Sequence, residues 1–336
     1  MKIGVIGSGS WGTAISSLLA SKGYEVWLWS WQQSETQRLC KDRENKEYLP
    51  GVMLPDNIHF TSELASCASE ADLVITAVPS HAIRETAKKL APHISDGQLL
   101  LNISKGLEPH TLLRLSEVIG QQIPQAVIAV MSGPSHAEEV GRGVPTTNVV
   151  ASADMQASMR VQDIFMHPDF RVYTGNDMLG VELGGALKNV IALAAGIAVG
   201  LGCGDNTNAA LMTRGIAEIK RLGVKMGARA ETFAGLSGIG DLIVTCMSQH
   251  SRNRRAGVLI GQGKSLEETL HEVHMVVEGV NTCAAANQLA QKYGVSMPIT
   301  QCTYRVLYEG LPAKDAIRYL MERARRHESE EDILGR

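Results

Sequence analysis

The sequence of 336 residues has no strong excess of charge of either sign and few aromatic residues. Its 32 basic and 35 acidic side chains leave a formal net charge of −3 at pH 7, and aromatic residues make up 4% of the chain. A surface that binds nucleic acid is usually basic, with aromatic side chains among the charges. The composition therefore predicts no nucleic acid partner, and any anion-binding site has to be local.

Motifs that hold metals or form disulfide frameworks are also absent from the sequence. The six cysteines include no Cys-x-x-Cys pair and no His/Cys group at metal-ligand spacing. We interpret them as reduced and mostly buried thiols of a cytoplasmic protein that needs no metal. They are Cys40, Cys67, Cys203, Cys246, Cys283 and Cys302.

No hydrophobic run is long enough for a membrane span or a secretory signal. The apolar start, residues 2–6, is interrupted at once by a glycine-rich segment. The longest apolar run, residues 190–203, contains three glycines and is shorter than the roughly 18 to 20 residues that a span needs. It predicts a buried helix in a protein that does not insert into membranes.

The first half of the sequence alternates strand-like with helical segments. Apolar residues at helical spacing, as in residues 11–21 and 81–90, lie between short apolar runs bounded by Gly, Pro, Ser or Asp. This alternation predicts a parallel, doubly wound α/β sheet of the Rossmann type. The predicted strands are residues 2–6, 25–29, 73–77, 98–101 and 126–130, with 147–151 and 170–173 extending the sheet.

From Asp177 onward, long helical patterns replace the strand-like runs. A turn-forming cluster, residues 174–177, separates the two halves, and its Asn or Asp can cap the next helix. We therefore predict an α/β domain over residues 1–176 and an all-α domain over residues 177–336. The predicted helices of the second domain include residues 178–199, 209–226, 284–293 and 313–326.

A Gly-x-Gly-x-x-Gly segment, residues 7–12, stands between the first predicted strand and the first predicted helix. In this setting Gly7 permits a tight turn, Gly9 lets the backbone approach a pyrophosphate, and Gly12 lets the helix pack closely on the strand. The helix N-terminus favours an anion. The segment predicts a dinucleotide cofactor, and the alternative is a flexible glycine loop without function.

The end of the second predicted strand carries no carboxylate where NAD-binding sites hold the ribose hydroxyls. The strand continues into Ser30, Trp31 and two glutamines, and Glu35 lies further on. A carboxylate at this position would repel the 2′-phosphate of NADP, and its absence therefore permits NADP as well as NAD. We expect either coenzyme, with a slight preference for NADP. Trp31 either stacks on the adenine or packs within the protein.

Lys188 stands at the start of an apolar run, in the segment 182–189. Burial among apolar neighbours disfavours an ammonium group and lowers its pKa from the ordinary value of about 10.4 toward neutrality. A lysine of that kind serves as an acid or a base. The alternative is a lysine at a helix end whose ammonium group reaches solvent.

A second cluster combines glycines with charge. Residues 235–242 are rich in glycine, include Asp241, and are followed by Arg252 and Asn253. Arginine offers two parallel donors to a phosphate, and asparagine adds a neutral donor. The cluster predicts a loop over an anionic ligand, and the alternative is a solvated basic patch.

A third cluster lies at predicted strand ends. Lys105 follows the strand at 98–101, on the sheet edge where α/β proteins bind ligands. Ser135 and Glu138 have the spacing of a capping box and predict a helix N-terminus that begins there.

Taken together, these motifs resemble the bacterial-type NAD(P)-dependent glycerol-3-phosphate dehydrogenases. The resemblance implies a Rossmann domain followed by a helical domain like that of 6-phosphogluconate dehydrogenase. It also implies reversible reduction of dihydroxyacetone phosphate to sn-glycerol 3-phosphate for glycerophospholipid synthesis, by a cytoplasmic homodimer. The segments that carry the resemblance are residues 7–12, 104–106, 133–139, 180–196, 235–257 and 276–282.

The resemblance assigns roles to residues of this chain. Lys188 would transfer the proton, with Lys105 and Asp241 as its catalytic partners. Besides the three glycines, the dinucleotide would contact Ser10, Trp11, Trp31, Lys105, Ala137, Arg252, Val276 and Glu278. The phosphorylated substrate would contact Lys105, Gly133, Ser135, Lys188, Asp241, Ser251, Arg252 and Asn253.

Two other functions fit parts of this pattern. One is a dehydrogenase of the same architecture that acts on a hydroxyisobutyrate or a hydroxyacyl-CoA. Arg252 and Asn253 argue against it, because they favour a substrate with a compact phosphate. The other is a protein that binds NAD(P) as a sensor without catalysis. The presence of Lys105, Lys188 and Asp241 together argues against the sensor, which needs none of them for binding.

Overall fold

The computed structural model describes residues 1–325, 327 and 328, and the first half of the chain forms an eight-stranded sheet. The strands are β1 (Lys2–Ile6), β2 (Glu25–Trp29), β3 (Ile58–Thr61), β4 (Leu73–Thr76), β5 (Leu99–Asn102), β6 (Val127–Ser132), β7 (Thr146–Ser152) and β8 (Phe170–Gly175). Their order in the sheet is β3-β2-β1-β4-β5-β6-β7-β8. Neighbouring strands are parallel except for the pair β6 and β7, which is antiparallel. The mostly parallel sheet with helices around it confirms the predicted α/β fold class.

The sheet has a hydrophobic core on each face. Val5 belongs to the core on one face and Ile6 to the core on the other, because successive side chains of a strand point in opposite directions. The sequence missed one strand, β3, in which His59 and Thr61 alternate with Ile58 and Phe60 and leave no continuous apolar run like those of β4 and β5. The other seven strands lie where they were predicted; the ends of β1 and β2 are unchanged, and those of the other five are shifted by at most two residues.

Helices cover the sheet and make up the second half of the chain. Those of the first half are α1 (Ser10–Ser21), α2 (Gln33–Asp42), α3 (Leu64–Ala68), α4 (Ile83–Leu90), α5 (Leu115–Gln122), α6 (Ala137–Val140) and α7 (Met155–Phe165). Those of the second half are α8 (Met178–Gly200), α9 (Asp205–Met226), α10 (Asp241–Met247), α11 (Arg252–Gly261), α12 (Leu266–Val273), α13 (Glu278–Tyr293), α14 (Pro298–Tyr308) and α15 (Ala313–Met321). The last of these helices was predicted over residues 313–326, but α15 ends at Met321. Residue 326 itself lies outside the described residues.

Helix α8 is the centre of the helical half. By length and composition its 23 residues are apolar enough to cross a membrane, but 83% of its most apolar window is buried within the protein. The predicted buried helix is confirmed. The predicted bounds, residues 178–199, agree with the observed helix to within one residue, and the apolar run at residues 190–203 is its C-terminal part together with the turn that follows.

Glycines bring α11 unusually close to α8. A Cβ atom on Gly196 would lie 2.2 Å from the carbonyl oxygen of Arg254, and one on Gly257 would lie 2.2 Å from that of Leu193. No side chain fits at these crossing points. The contact holds the N-terminus of α11 beside the middle of α8, which places Arg252 near Lys188 in the same cleft.

The connection between the two halves is short and well anchored. Strand β8 ends at Gly175, and one carboxylate oxygen of Asp177 accepts a hydrogen bond from the backbone N–H of Gly180, 2.9 Å away, as an N-cap of α8. The other oxygen accepts from the Arg229 N–H at 2.9 Å and the Thr232 hydroxyl at 2.6 Å. The predicted division into two domains after residue 176 falls in this connection and stays a prediction.

We expect Asp177→Ala to lower the free energy of unfolding by about 2 kcal/mol, because it removes a helix cap and two further hydrogen bonds. Asp154 provides a matched control, since its side chain caps α7 through the Gln156 N–H alone. Asp154→Ala should cost about 1 kcal/mol. Urea unfolding followed by circular dichroism measures both, and equal losses would contradict the anchoring role of Asp177.

Candidate active site

A cleft of about 670 Å³ runs along the carboxyl ends of the central strands and reaches the N-terminus of α11. Its position is the one where open α/β sheets bind ligands. All of the predicted site residues except Gly12, Gly133 and Asp241 line it. Those that do are Gly7, Gly9, Ser10, Trp11, Trp31, Lys105, Ser135, Ala137, Lys188, Ser251, Arg252, Asn253, Val276 and Glu278.

The glycine loop has the geometry that its spacing predicts. Gly7 has φ of +120°, a conformation that side chains disfavour. A Cβ atom on Gly12 would lie 1.9 Å from the Gly7 carbonyl oxygen, so only glycine lets α1 approach the loop this closely. A Cβ atom on Gly9 would meet nothing within 4 Å, and Gly9 lines the cleft. The backbone ahead of α1 is thus open to an anionic ligand.

Side chains from outside the motif fix this loop. The Asn45 amide donates to the Ser8 carbonyl oxygen at 2.7 Å and to the Thr13 hydroxyl at 2.8 Å. The Thr13 hydroxyl donates to the same carbonyl oxygen at 3.1 Å. Asn45 is therefore a supporting residue that the sequence missed, because it lies well beyond the motif in a segment without regular structure.

A carboxylate does stand beside the glycine loop, which corrects the expectation from the sequence. Glu35, in α2, is 7% exposed and lines the cleft. It accepts hydrogen bonds from the hydroxyls of Ser8 at 2.8 Å and Ser30 at 2.5 Å. The sequence placed Glu35 beyond the end of β2, but the first turn of α2 folds back and brings it to the loop.

Two lysines from distant parts of the chain meet on one carboxylate. The Lys105 Nζ donates to Asp241 Oδ2 at 2.6 Å and to the Gly133 carbonyl oxygen at 3.0 Å. The Lys188 Nζ donates to Asp241 Oδ1 and to the Thr245 hydroxyl, the latter at 2.7 Å. Lys105 and Lys188 therefore share one cleft, with Asp241 between them.

Burial and charge set the protonation of this group. Burial lowers the pKa of Lys188 to about 7; Asp241 opposes this shift, and the positive charge of Lys105 adds to it. For Asp241, burial acts to raise the pKa, but the two ammonium groups outweigh it and the pKa is lowered. The site therefore holds an ionised carboxylate and a lysine that can gain or lose its proton near neutral pH.

Asp241 lies behind the lining of the cleft, with 1% of its surface exposed. A π-helical turn, Leu236–Gly240, leads into it, and the Ser132 hydroxyl donates to its Oδ2 at 3.3 Å. Its contacts are thus with side chains of the protein, and direct contact with a substrate stays a prediction. The sequence missed Thr245, although its position four residues after Asp241 on one helix was a usable signal.

Arg252 is a half-buried cation open to the cleft. Within the described part of the chain, its side chain makes no hydrogen bond or ion pair. Burial lowers the pKa of its guanidinium, and the carboxylates of Glu278 and Glu138 oppose that shift. A guanidinium stays charged in proteins, so Arg252 is a ready partner for an anion.

Asn253 is partly engaged in holding helices together. Its amide nitrogen donates to Asn189 Oδ1 at 3.0 Å, and its oxygen accepts from the Gly279 N–H at 2.8 Å. One amide N–H remains for a ligand. Ser251 caps α11 by accepting from the Arg254 N–H. Asn189 is a further residue that the sequence did not single out.

Glu278 connects the two halves of the chain across the cleft. Its carboxylate accepts from the Ser80 backbone N–H at 2.9 Å and from the Ser80 hydroxyl at 2.6 Å. Ser80 follows β4 in the sheet, whereas Glu278 begins α13. Contact of Glu278 with a dinucleotide, and that of its neighbour Val276, stay predictions.

The predicted capping box at Ser135 was wrong. Helix α6 begins at Ala137, and its N-cap residue, His136, makes no side-chain cap bond. The Ser135 hydroxyl instead donates to the Gly133 carbonyl oxygen at 2.9 Å. That oxygen also accepts from Lys105, so the Ser135 segment supports the lysine from behind.

Two family models match most of the chain. Residues 2–158 match the model described as the N-terminus of NAD-dependent glycerol-3-phosphate dehydrogenase, and residues 177–318 match the model of its C-terminus. Related proteins are found among the bacterial enzymes named glycerol-3-phosphate dehydrogenase (NAD(P)+). That of Moorella thermoacetica is 58% identical over 328 residues, covering 98% of each chain. That of Pelotomaculum thermopropionicum is 55% identical, covering 99% of this chain and 97% of its own.

Solved structures agree with these matches. The glycerol-3-phosphate dehydrogenase of Coxiella burnetii superposes with a TM-score of 0.93 at 37% identity, covering 96% of this chain and 99% of that one. The yeast enzyme superposes with a TM-score of 0.82 at 27% identity and the same coverage. The similarity thus extends over both halves of the chain and the cleft between them.

We expect Gly9→Ala and Gly12→Ala to fail in different ways. A methyl group on Gly9 meets no protein atom, so the melting temperature should change by no more than about 1 °C while affinity for a dinucleotide falls about tenfold or more. A methyl group on Gly12 collides with the loop and should lower the melting temperature by several degrees. Thermal unfolding and titration with NADH measure both; equal melting temperatures would contradict the assigned geometry.

Proposed function

Because this chain belongs to the NAD-dependent glycerol-3-phosphate dehydrogenase family, we propose that it interconverts dihydroxyacetone phosphate and sn-glycerol 3-phosphate with a nicotinamide dinucleotide. The observation that carries the proposal is the shared carboxylate of Lys105 and Lys188, in one cleft with the glycine loop and Arg252. That cleft combines a dinucleotide loop, an acid–base group and a cation for a phosphate.

The residues of the loop fit a nicotinamide dinucleotide. Gly9 leaves the backbone ahead of α1 open, and the N-terminus of α1 favours a pyrophosphate. Trp31, 73% exposed at the rim of the cleft, offers a face on which the adenine stacks. When bound, the dinucleotide supplies or accepts the hydride at C2 of the substrate.

Lys188 transfers the proton in this proposal. In reduction its ammonium group donates a proton to the developing alkoxide at the C2 oxygen; in oxidation the neutral amine removes that proton. The Lys105 ammonium group, held by Asp241 and the Gly133 carbonyl oxygen, stabilises the developing negative charge. Asp241 positions both lysines, and hydrogen bonds to Thr245 and Asp241 orient the Lys188 Nζ.

The substrate phosphate is assigned to Arg252, with the remaining N–H of Asn253 as a second donor. A guanidinium without a protein partner gains its hydrogen bonds only when an anion enters. Ser251 and Ser135 line the same region. Binding of the phosphate, remote from the reacting carbon, then holds C2 in place for hydride transfer.

Further properties rest on the resemblance alone. We propose a cytoplasmic homodimer with a dinucleotide-binding domain before residue 177 and a substrate-binding domain after it. Either NAD or NADP is the coenzyme, and no role is proposed for a metal. The slight preference for NADP expected from the sequence depended on the lack of a carboxylate at the loop, a premise that Glu35 removes.

We expect the purified protein to oxidise NADH or NADPH with dihydroxyacetone phosphate and not with dihydroxyacetone. Arg252→Ala should lower kcat/KM about 10- to 100-fold, mainly by raising KM, because it removes charge-assisted hydrogen bonds to the phosphate. Arg255, on the same helix but outside the lining of the cleft, provides the control variant Arg255→Ala. Equal activity with the two ketones in folded protein would overturn the assignment.

We expect the rate of ketone reduction at saturating substrate to fall as pH rises past about 7, because the reaction consumes the Lys188 ammonium form. The oxidation rate should rise over the same range, since it uses the neutral amine. Lys188→Ala should lower kcat by about 10² to 10⁴ and abolish this pH dependence.

The control for this series is Lys225→Ala, at an exposed lysine near the end of α9. It should leave both the rate and the pH profile unchanged. A Lys188→Ala protein that is folded and retains the wild-type pH profile would assign the titrating group to another residue.

A further inference from the structure

We propose that Glu35 makes this enzyme select NAD(H) over NADP(H), by facing the ribose hydroxyls of the adenosine half. The inference deepens the proposed function and rests on it in one respect, that the cleft binds a nicotinamide dinucleotide. It reverses the slight preference for NADP expected from the end of β2. The argument depends on where the carboxylate lies, on what it can still accept, and on which cations are near it.

The Glu35 carboxylate lies between the two segments that surround an adenosine ribose in this fold. Ser8, one of its hydrogen-bond donors, belongs to the glycine loop, and Ser30, the other, directly follows β2. The acid that holds the ribose diol in NAD-binding sites of this fold occupies the same place, where it extends from the end of β2 itself. Here the acid reaches that place from α2.

The carboxylate has room for the ribose hydroxyls. Its two oxygens offer about four acceptor positions, and the two serine hydroxyls use one on each oxygen. The 2′- and 3′-hydroxyls of NAD are donors and satisfy the remaining positions. A 2′-phosphate carries a charge of about −1.5 to −2 near neutral pH and only acceptor oxygens, so it is repelled by the carboxylate.

No lysine or arginine of the described cleft lining compensates for that repulsion. The three that line the cleft are Lys105, Lys188 and Arg252. Strand β5, which precedes Lys105, lies three strands from β2, about 14 Å away at the usual strand spacing. Arg38, on α2 beside Glu35, pairs with Glu47 at 3.5 Å and does not line the cleft.

Direct binding measurements test the inference without relying on turnover. The dissociation constants of NADH and NADPH are measured by calorimetry for the wild type, Glu35→Gln and Glu63→Gln. Glu63 is exposed and outside the cleft lining, so Glu63→Gln removes the same charge from the surface and leaves the Arg38–Glu47 pair intact. We expect the wild type to bind NADH about tenfold or more tightly than NADPH.

Glu35→Gln should reduce that ratio about tenfold, chiefly by tightening the binding of NADPH, and Glu63→Gln should leave it unchanged. A wild type that binds NADPH as tightly as NADH, or a ratio that Glu35→Gln does not alter, would overturn the inference. In case Glu35→Gln unfolds, competition on the wild type gives an independent result: AMP should displace NADH at lower concentration than adenosine 2′,5′-bisphosphate, and the reverse order would overturn the inference.

Failure of this inference and failure of the proposed function are distinguishable. Turnover of dihydroxyacetone phosphate by a protein that binds NADPH as tightly as NADH overturns the selectivity alone. Preferential binding of NADH without turnover of that ketone supports the selectivity and overturns the proposed reaction. Binding of neither nucleotide overturns both.

Discussion

The buried carboxylate of Asp241 holds both lysines of the cleft, and the rest of the active site is arranged around that interaction. A buried ammonium group without a partner is strongly unfavourable, and two close together repel each other as well. One carboxylate between them offsets part of this cost but leaves an excess of positive charge. Arg252 is a further cation of the same cleft, and the carboxylates of Glu278 and Glu138 lie near it. A phosphorylated substrate, and then a developing alkoxide, supply the missing negative charge.

The fold brings these groups together from segments that are far apart in the sequence. Lys105 follows a strand of the sheet, Lys188 lies in the middle of α8, and Asp241 begins α10 after a π-helical turn. Such turns occur often at functional sites, because they redirect a side chain without ending the helix. The glycine contacts between α8 and α11 then place Arg252 and Asn253 beside the lysines. Close helix packing in the second half is thus a condition for the chemistry.

Much of this arrangement is predictable from the sequence, and the remainder depends on tertiary contacts. Strands such as β1 and β2 are recognisable because a buried strand is an apolar run ended by glycine or serine. Lys188 stands out because apolar residues follow it, and Arg252 because it follows the glycine-rich segment 235–242. The spacing of Ser135 and Glu138 predicted a capping box that does not form, because the Ser135 hydroxyl donates to the nearby Gly133 carbonyl oxygen instead. The spacing of residues along the chain shows which hydrogen bonds are sterically feasible but not which of them forms.

Glu35 illustrates the same limit and adds a carboxylate to the β2 side of the cleft. Its distance from β2 along the chain excluded it as a ribose ligand, yet one turn of α2 returns it to the glycine loop. The cleft consequently has Glu35 at the β2 side, whereas Lys105, Lys188 and Arg252 lie toward β5 and α11, with Glu138 and Glu278 near Arg252. A ribose diol at the β2 side would meet an acceptor group, and a phosphate near α11 would meet a guanidinium. The two ends of the cleft therefore suit different parts of the ligands, and Lys188 stands at the end that suits the phosphorylated substrate.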